Sequence, residues 1–351
     1  MLRRLEFEFK IRANNYTTFL NKHFNREVVV LLYHRVVKLA VDSQSLAVEP
    51  KVFESQLEHL VKNYNVISHE ELLDSLVKKN LPRKSICITF DDGYLDNLKI
   101  AKPILESYDF PGIFFISTAN IAKEREFWWD ELEQYFLCSN KLPDKIFIKT
   151  RNKKFEFPLF SWANLDEPKR NVLYQWNAIQ GFVDNPRIEA YLSCQKLFKT
   201  MDIVEREECF DQLWKQCSNT PVCRDGYRVM TKEELVEFNT SPLITLGAHT
   251  ANHCALSCLT PQRINEEIHE SKHTLARILN ETPVTFSYPF GYSSDYGQTA
   301  VKVVGKAGFQ SAFSVNSCRV DRNSDIFEIP RFQAPNFEGD KFKKWLLSLY
   351  N

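Results

Sequence analysis

The sequence predicts an α/β protein, a barrel of about seven parallel strands, complete or incomplete, with a large mixed α and β insertion that forms a cap. From Glu27 onward short apolar runs alternate with amphipathic stretches, which is the pattern of βα units. The runs 28–34 and 85–90 are apolar on both faces, as central parallel strands covered by helices must be. Residues 119–239 break this alternation and are too many for a loop without structure of its own.

Each strand and helix of the barrel has its own signal. The stretch from Val52 to Tyr64 carries apolar residues on one side, and the next helix opens with Ser68 and Glu71 in the spacing of a capping box. Seven apolar runs bounded by turn residues are predicted strands, namely 28–34, 85–90, 112–117, 242–247, 284–288, 310–315 and 327–332.

These signals divide the chain into a barrel, residues 1–118 and 240–351, and an inserted cap, residues 119–239. The insertion contains five of the six tryptophans and a hairpin-like alternation over residues 145–157. Barrel enzymes keep their active sites where loops leave the carboxyl ends of the strands, so the insertion is expected to cover a cleft. The alternative is an interaction module that has no part in chemistry.

Charge and composition restrict the classes of partner. The 351 residues include 45 Lys plus Arg and 45 Asp plus Glu, so no global field attracts nucleic acid. Charges at Glu6, Glu8 and Lys10 interrupt any signal peptide, and no run approaches the roughly 18 apolar residues of a membrane span. The nine cysteines are odd in number and scattered along the chain, which indicates reduced thiols and no disulfide framework. We expect a cytoplasmic protein with at most peripheral membrane contact.

The first chemical signal is the pair Asp91 and Asp92, which ends a strand predicted to be buried on both faces. Burial of two adjacent carboxylates is costly unless a cation or hydrogen bonds hold them. One carboxylate would then be a metal ligand and the other a base. An exposed Asp-Asp-Gly turn is the structural alternative.

A second signal follows the strand at 242–247, where His249 and His253 have the spacing of one face of a helical turn. With Asp92 they would form a site of two histidines and one carboxylate, open to water and substrate. His269 and His273 have the same spacing but lie opposite the apolar face of their helix, so we expect them to be solvated. A structural zinc site that adds Cys254 and Cys258 is an alternative.

Two weaker signals complete the set. Pro289, Phe290 and Gly291 predict a tight turn whose backbone N–H groups can point into a cleft, as an oxyanion hole requires. His34 ends the strand at 28–34, where a histidine is either catalytic or an ordinary hydrogen-bonded core residue.

Together these motifs resemble the polysaccharide deacetylase family, carbohydrate esterase family four, also called the NodB-homology domain. Residues 89–93 (TFDDG), 249–253 (HTANH) and 289–291 (PFG) are similar to its three motifs, and the similarity covers roughly residues 27–118 and 240–335. The resemblance implies a distorted (β/α) barrel and metal-dependent removal of an acetyl group from an N- or O-acetylated sugar. The implied metal ligands are Asp92, His249 and His253, the implied base is Asp91, and the Phe290 N–H would stabilise the oxyanion.

The chain departs from the family pattern at three points. Ser287 stands where the family usually has an arginine that orients the base, and Arg331 is the candidate replacement, the alternative being a surface salt bridge. No histidine follows His273 to serve as the terminal general acid, but residues 32–36 (LYHRV) resemble the strand that bears it in circularly permuted relatives, which implies His34. The insertion leaves the substrate open.

The resemblance implies hydrolysis of the N-acetyl group of an amino sugar during surface-polysaccharide assembly, with zinc as the default ion and cobalt, nickel, manganese or iron as alternatives. Tyr288, Trp128 and Trp129 could stack on sugar faces, and the two tryptophans could equally be cap core residues. Deformylation or imide hydrolysis at the same site, an inactive carbohydrate-binding protein and a structural zinc protein are the rival interpretations.

Overall fold

Parallel strands form the centre of the molecule. The structure, a computed structural model, describes residues 26–350 apart from residues 122, 124, 182, 218 and 219. In the main sheet seven strands pair side by side in the order β11-β10-β9-β6-β5-β1-β12, and the short β4 adds to β5. Their bounds are Val28–Tyr33 (β1), Asn65–Val66 (β4), Ser85–Phe90 (β5), Gly112–Ile116 (β6), Ile244–Ala248 (β9), Thr285–Ser287 (β10), Ser311–Phe313 (β11) and Phe332–Gln333 (β12).

The segment 326–333 joins the two edges of this sheet. Phe313 of β11 forms a parallel bridge with Ile329, and Leu31 of β1 pairs with Phe332. The predicted strand at 327–332 is therefore divided between two neighbours, because Pro330 has no N–H to continue a ladder. The sheet returns to its first strand as a distorted barrel, and the predicted α/β barrel is confirmed.

Helices cover the outside of the sheet. The capping box predicted at Ser68 and Glu71 is confirmed, since each side chain bonds the backbone N–H of the other residue. The helices are Pro50–Asn63 (α1), His69–Val77 (α2), Lys102–Ser107 (α3), Trp128–Glu133 (α4), Glu167–Gln175 (α5), Pro186–Lys199 (α6), Ile203–Lys215 (α7), Lys232–Phe238 (α8), Pro261–Leu279 (α9), Ser293–Lys306 (α10) and Gly339–Ser348 (α11). None of the helices in the described part of the chain is long and apolar enough to cross a bilayer.

Residues 119–239 form helices α4 to α8 and the predicted hairpin, which is confirmed as antiparallel strands Lys145–Lys149 (β7) and Lys154–Pro158 (β8). Two further short strands, Arg35–Val36 (β2) and Ala47–Val48 (β3), pair with each other. Arg187 of α6 is fully buried and donates to the carbonyls of Phe136, Ser139, Trp162 and Ala163, which ties this segment together. The boundaries of the cap remain a prediction, and residues 1–25 of the predicted barrel lie outside the described residues.

We expect Gly247→Ala to destabilise the barrel by about 1–3 kcal/mol. A Cβ at this position of β9 would lie 2.6 Å from the Phe115 ring and 2.8 Å from Thr285 Cγ2, on the two neighbouring strands. The free energy of unfolding in denaturant measures the effect. Gly305→Ala is the control, because its Cβ would lie at least 3.7 Å from its neighbours inside a helix and should leave stability equal or higher. Equal stability of both variants would contradict the tight strand packing.

Candidate metal centre and active site

Polar side chains that could carry chemistry follow three strands of the barrel, at the point where each strand ends. Asp91 and Asp92 come after β5, His249 after β9 and His34 after β1. The carboxyl ends of parallel strands meet at one edge, so these residues share a cavity of about 270 Å³. Its lining consists of Leu32, His34, Gln44, Leu46, Asp91, Asp92, Trp128, Trp129, Gln195, Lys199, His249, His253, Phe290, Tyr292, Val315 and Gln333.

Three buried side chains in this cavity could hold one metal ion. Asp92 Oδ1 lies 3.3 Å from His253 Nε2 and 3.6 Å from His249 Nε2, and the three donor atoms lie within 4.8 Å of one another. His249 Nδ1 donates to the Ser287 carbonyl at 2.8 Å, which leaves the Nε2 lone pair for a ligand. Asp92 Oδ1 is buried and has no hydrogen-bond partner among the described residues. The donor set therefore fits a divalent cation.

The protonation states of the histidines agree with this use. Burial lowers the pKa of His249 to about 4 and that of His253 to about 3, while the nearby carboxylates oppose the shift. Both imidazoles are neutral at pH 7, and the neutral form is the one that binds metal.

The backbone that brings the two histidines together is a loop, and the predicted helical turn is wrong. Thr250 and His253 have φ angles of +60° and +49°, in the left-handed region. The His253 N–H donates to Thr250 Oγ1 at 3.0 Å, and the Thr250 carbonyl accepts from Thr118 after β6. A spacing of four residues fits a helix, but here side-chain and inter-strand hydrogen bonds decide the conformation.

The competing histidines and cysteines are not part of this group. His269 is half-buried and His273 is exposed on α9, with their rings 6.0 Å apart. Cys254 is buried and Cys258 is exposed. Asp92, His249 and His253 are the only group of three such ligands found among the described residues.

Arg331 holds Asp91 in a bidentate ion pair. Its Nη1 and Nη2 each donate to one carboxylate oxygen at 2.7 Å, and the Ser287 hydroxyl lies between the two groups, 2.7 Å from Nη2 and 3.1 Å from Asp91 Oδ2. Burial opposes ionisation of Asp91, but the Arg331 guanidinium outweighs it and holds the pKa of the carboxyl well below its usual range. Arg331 has 0% exposed surface, so the contact is not a surface salt bridge.

His34 lines the same cavity. Its Nδ1 is buried and has no hydrogen-bond partner in the part of the chain that the structure describes, unlike an ordinary core histidine. Burial lowers the pKa of His34, and the carboxylates of Asp92 and Asp91 oppose this shift. No protein contact among the described residues therefore occupies the Nδ1 atom of His34.

The turn after β10 has the expected tight backbone. Phe290 has a φ of +61°, and its N–H donates to no acceptor among the described residues. Pro289 is buried, and a Cβ at Gly291 would overlap Val315. Tyr288 departs from the expectation: its ring is buried against Tyr296, its hydroxyl donates to the Phe327 carbonyl, and it does not line the cavity. In this strand register the Tyr288 ring points into the core and not into the cavity.

Trp128 and Trp129 both line the cavity and both are largely buried. The Trp129 ring lies 4.5 Å from the His253 ring, and its Nε1 donates to the Tyr94 hydroxyl at 2.8 Å. The two roles considered for these tryptophans, core residue and cavity wall, are therefore compatible.

Sequence reasoning missed several polar residues of the cavity wall. Gln44, Gln195, Lys199 and Gln333 come from three separate segments, since Gln195 and Lys199 share α6, and they follow no motif. Gln195 and Lys199 lie in the predicted cap, which was the only signal available for them, and Gln44 and Gln333 had none. Ser287 was noted as a departure from a motif, but its contact with both Asp91 and Arg331 could not be read from the sequence.

The family comparison matches the segments that carry most of this geometry. The polysaccharide deacetylase family model matches residues 78–137 and 205–312. These segments of the chain are similar in sequence to that family. The matched segments contain Asp91, Asp92, His249 and His253, whereas His34 and Arg331 lie outside them.

Individual relatives of this family are distant. YxkH of Bacillus subtilis (strain 168), named as a candidate polysaccharide deacetylase, is 29% identical over 125 residues, which are 35% of this chain. The match spans 44% of that relative's length, less than half. Two solved structures cover 93% of this chain and 98% of their own, at a TM-score of 0.55: the Streptococcus pyogenes deacetylase PplD in complex with acetate, 16% identical, and IcaB from Ammonifex degensii, 17% identical. At such identities the likeness shows the fold.

We expect His249→Ala to weaken zinc binding by more than the roughly 10–100-fold that loss of an outer-shell partner costs, because it removes a direct ligand. Isothermal titration of the chelator-treated chain with Zn²⁺ measures this affinity. His273→Ala is the matched control and should bind zinc as the unmodified chain does. Equal loss in both variants would contradict the site.

Proposed function

We propose that the chain is a metal-dependent hydrolase that removes the N-acetyl group from an amino sugar of a surface polysaccharide or its precursor. One observation carries the proposal: an ionised, arginine-held carboxylate, Asp91, stands beside the metal-fitting group of Asp92, His249 and His253 in one cavity. The family match to the segments that bear these four residues supports it.

A divalent ion, when bound, would polarise the acetyl carbonyl and acidify a water molecule, and zinc is the default ion because imidazole suits it, with cobalt, nickel, manganese and iron as alternatives. Asp91 accepts the proton of the water that attacks the carbonyl carbon. Its bidentate pair with Arg331 keeps the carboxylate ionised and fixes its orientation. The C–N bond then breaks, and the products are acetate and the amine of the sugar.

Two further groups would complete the reaction. The Phe290 N–H, free of protein acceptors among the described residues, donates to the oxyanion that develops on the carbonyl oxygen. His34 delivers a proton to the departing amine nitrogen. Its lowered pKa makes the imidazolium a ready donor, at the cost of a smaller protonated fraction at neutral pH.

The position of His34 also bears on the type of deacetylase. We propose the circularly permuted type, in which the acid-bearing strand precedes the first motif; the pairing of β1 with both β5 and β12 supports this. We also propose a cytoplasmic location, which the nine free cysteines support, and a substrate that is a precursor at or near a membrane surface.

Mass spectrometry of N-acetylated oligosaccharides, before and after incubation with the zinc-loaded chain, tests the proposed reaction. Loss of 42 mass units per site, about the mass of one acetyl group exchanged for hydrogen, and matching acetate release are expected, and chelator should abolish both. Formate release from N-formylated sugars without acetate release would instead support the deformylase alternative.

We expect Asp91→Asn to retain zinc and to lower turnover roughly 10²–10⁴-fold, since it removes a base but no ligand. Asp92→Ala should lose zinc itself. Zinc content and acetate release, measured on the same samples, separate the two effects. If both variants lost zinc equally, the division of roles between the two carboxylates would be wrong.

We expect His34→Ala to bind zinc normally and to slow amide hydrolysis roughly 10²–10⁴-fold, because the amine leaving group needs a proton. Hydrolysis of 4-nitrophenyl acetate, whose leaving group departs without a proton, should change little. Comparison of the two substrates with one enzyme preparation controls for folding. Unimpaired amide hydrolysis would return His34 to the role of a core residue.

A further inference from the structure

Three glutamines on the cavity wall are held by their amide nitrogens. Gln44 Nε2 and Gln195 Nε2 both donate to the Tyr191 hydroxyl, at 2.5 and 2.9 Å, and Gln333 Nε2 donates to the Ser45 carbonyl at 3.1 Å. All three residues line the cavity that contains the metal-fitting group. The orientation of each amide decides whether the wall offers donors or acceptors to a ligand.

A chain of hydrogen bonds from Glu133 through Ser43 determines which groups donate and which accept at the Tyr191 hydroxyl. Glu133 is paired with Arg224 at 2.7 Å, so its carboxylate acts only as an acceptor. It accepts both the N–H and the hydroxyl of Ser43, at 3.1 and 2.7 Å. With its own proton directed to Glu133, Ser43 Oγ can only accept from the Tyr191 hydroxyl, which lies 2.8 Å away.

The Tyr191 hydroxyl therefore donates its only proton to Ser43 Oγ, and its oxygen can only accept any further hydrogen bond. Burial raises the pKa of Tyr191, so the phenol keeps the proton that it donates to Ser43. Gln44 and Gln195 must both present their NH₂ groups to the phenol oxygen. Gln333 must do the same to Ser45, because a backbone carbonyl only accepts.

As a result three amide carbonyl oxygens remain without a partner among the described residues. Each could accept a hydrogen bond from a bound ligand. The cation at this wall, Lys199, is already balanced, since its Nζ lies 2.7 Å from Asp295 Oδ1. The wall is thus rich in acceptors and carries no unpaired positive charge, which favours ligands that donate hydrogen bonds and disfavours anions.

We propose that Gln44, Gln195 and Gln333 form a sugar-binding subsite that recognises the hydroxyl groups of an uncharged sugar and discriminates against sugars that carry carboxylate or phosphate. This inference rests on the proposed function for the reaction at the adjacent metal centre, and it narrows the substrate class to neutral, N-acetylated glycans. Tyr191 is a positioning residue, because it acts through the two glutamines that it orients.

Equilibrium binding to the chelator-treated full chain tests the subsite apart from catalysis. The neutral probe is the tetramer of β-1,4-linked N-acetylglucosamine, and the anionic probe is a tetrasaccharide in which N-acetylglucosamine alternates with glucuronate. We expect the neutral tetramer to bind at least tenfold more tightly. Gln195→Leu should weaken it about three- to tenfold, as loss of one acceptor would, and should leave the weak binding of the anionic probe unchanged.

Two variants sharpen the test. Gln180→Leu, at an exposed position outside the cavity lining, should bind both probes as the unmodified chain does. Gln195→Glu retains acceptor oxygens but adds a negative charge. It should therefore weaken binding of the anionic probe further, and it should reduce the affinity for the neutral probe less than Gln195→Leu does. Equal affinity for the two probes, or an unchanged affinity of Gln195→Leu for the neutral one, would overturn the subsite. If this binding pattern is intact but the zinc-loaded chain releases no acetate, the result would count against the proposed function alone.

Discussion

The buried ion pair between Arg331 and Asp91 is the contact on which the rest of the site depends. The guanidinium also donates to the Thr89 hydroxyl and the Ser314 carbonyl, and it contacts Ser287, so it links the ends of β5, β10 and β11 inside the barrel. An ionised group without a partner at such depth costs several kcal/mol, so each strand end must hold its position. Asp92, His249 and His253 are next to these contacts along the chain or across the sheet. The positions of these three residues therefore depend on the same strand ends.

Much of this arrangement could be predicted because it depends on local pattern. Strands such as β1 and β5 are recognisable because they are apolar on both faces. The carboxyl ends of parallel strands lie at one edge of the sheet, so the sequence could predict that Asp92, His249 and His253 lie close together, as they do in the structure. The conformation of the histidine loop could not be predicted, since its hydrogen bond to Thr118 joins distant segments. The sequence contains no motif for the glutamines of the wall, because their roles arise only when three separate segments fold together.

Backbone strain is concentrated at this end of the barrel. Four of the ten non-glycine residues with positive φ in the described chain, Asp92, Thr250, His253 and Phe290, surround the cavity. Such conformations cost roughly 1–3 kcal/mol each and persist where neighbouring structure determines them. Here the neighbours are tight: the Asp92 carbonyl accepts from Ser117 at 3.3 Å, and the Trp129 and Phe290 rings pack on His253. The contacts that maintain these strained conformations also hold the three candidate ligand side chains in position.

The closure of the barrel by the pairing of β1 with β12 has a consequence for biosynthesis. The two strands are roughly 300 residues apart in the chain, and ribosomes add about 5–20 residues per second. One edge of β1 therefore remains unpaired for about 15–60 seconds until β12 has been synthesised. During that interval the apolar edge can pair with strands of other nascent chains. Helper proteins that shield hydrophobic strands during translation should therefore have more influence on the yield of this protein than on that of a barrel closed by sequence neighbours.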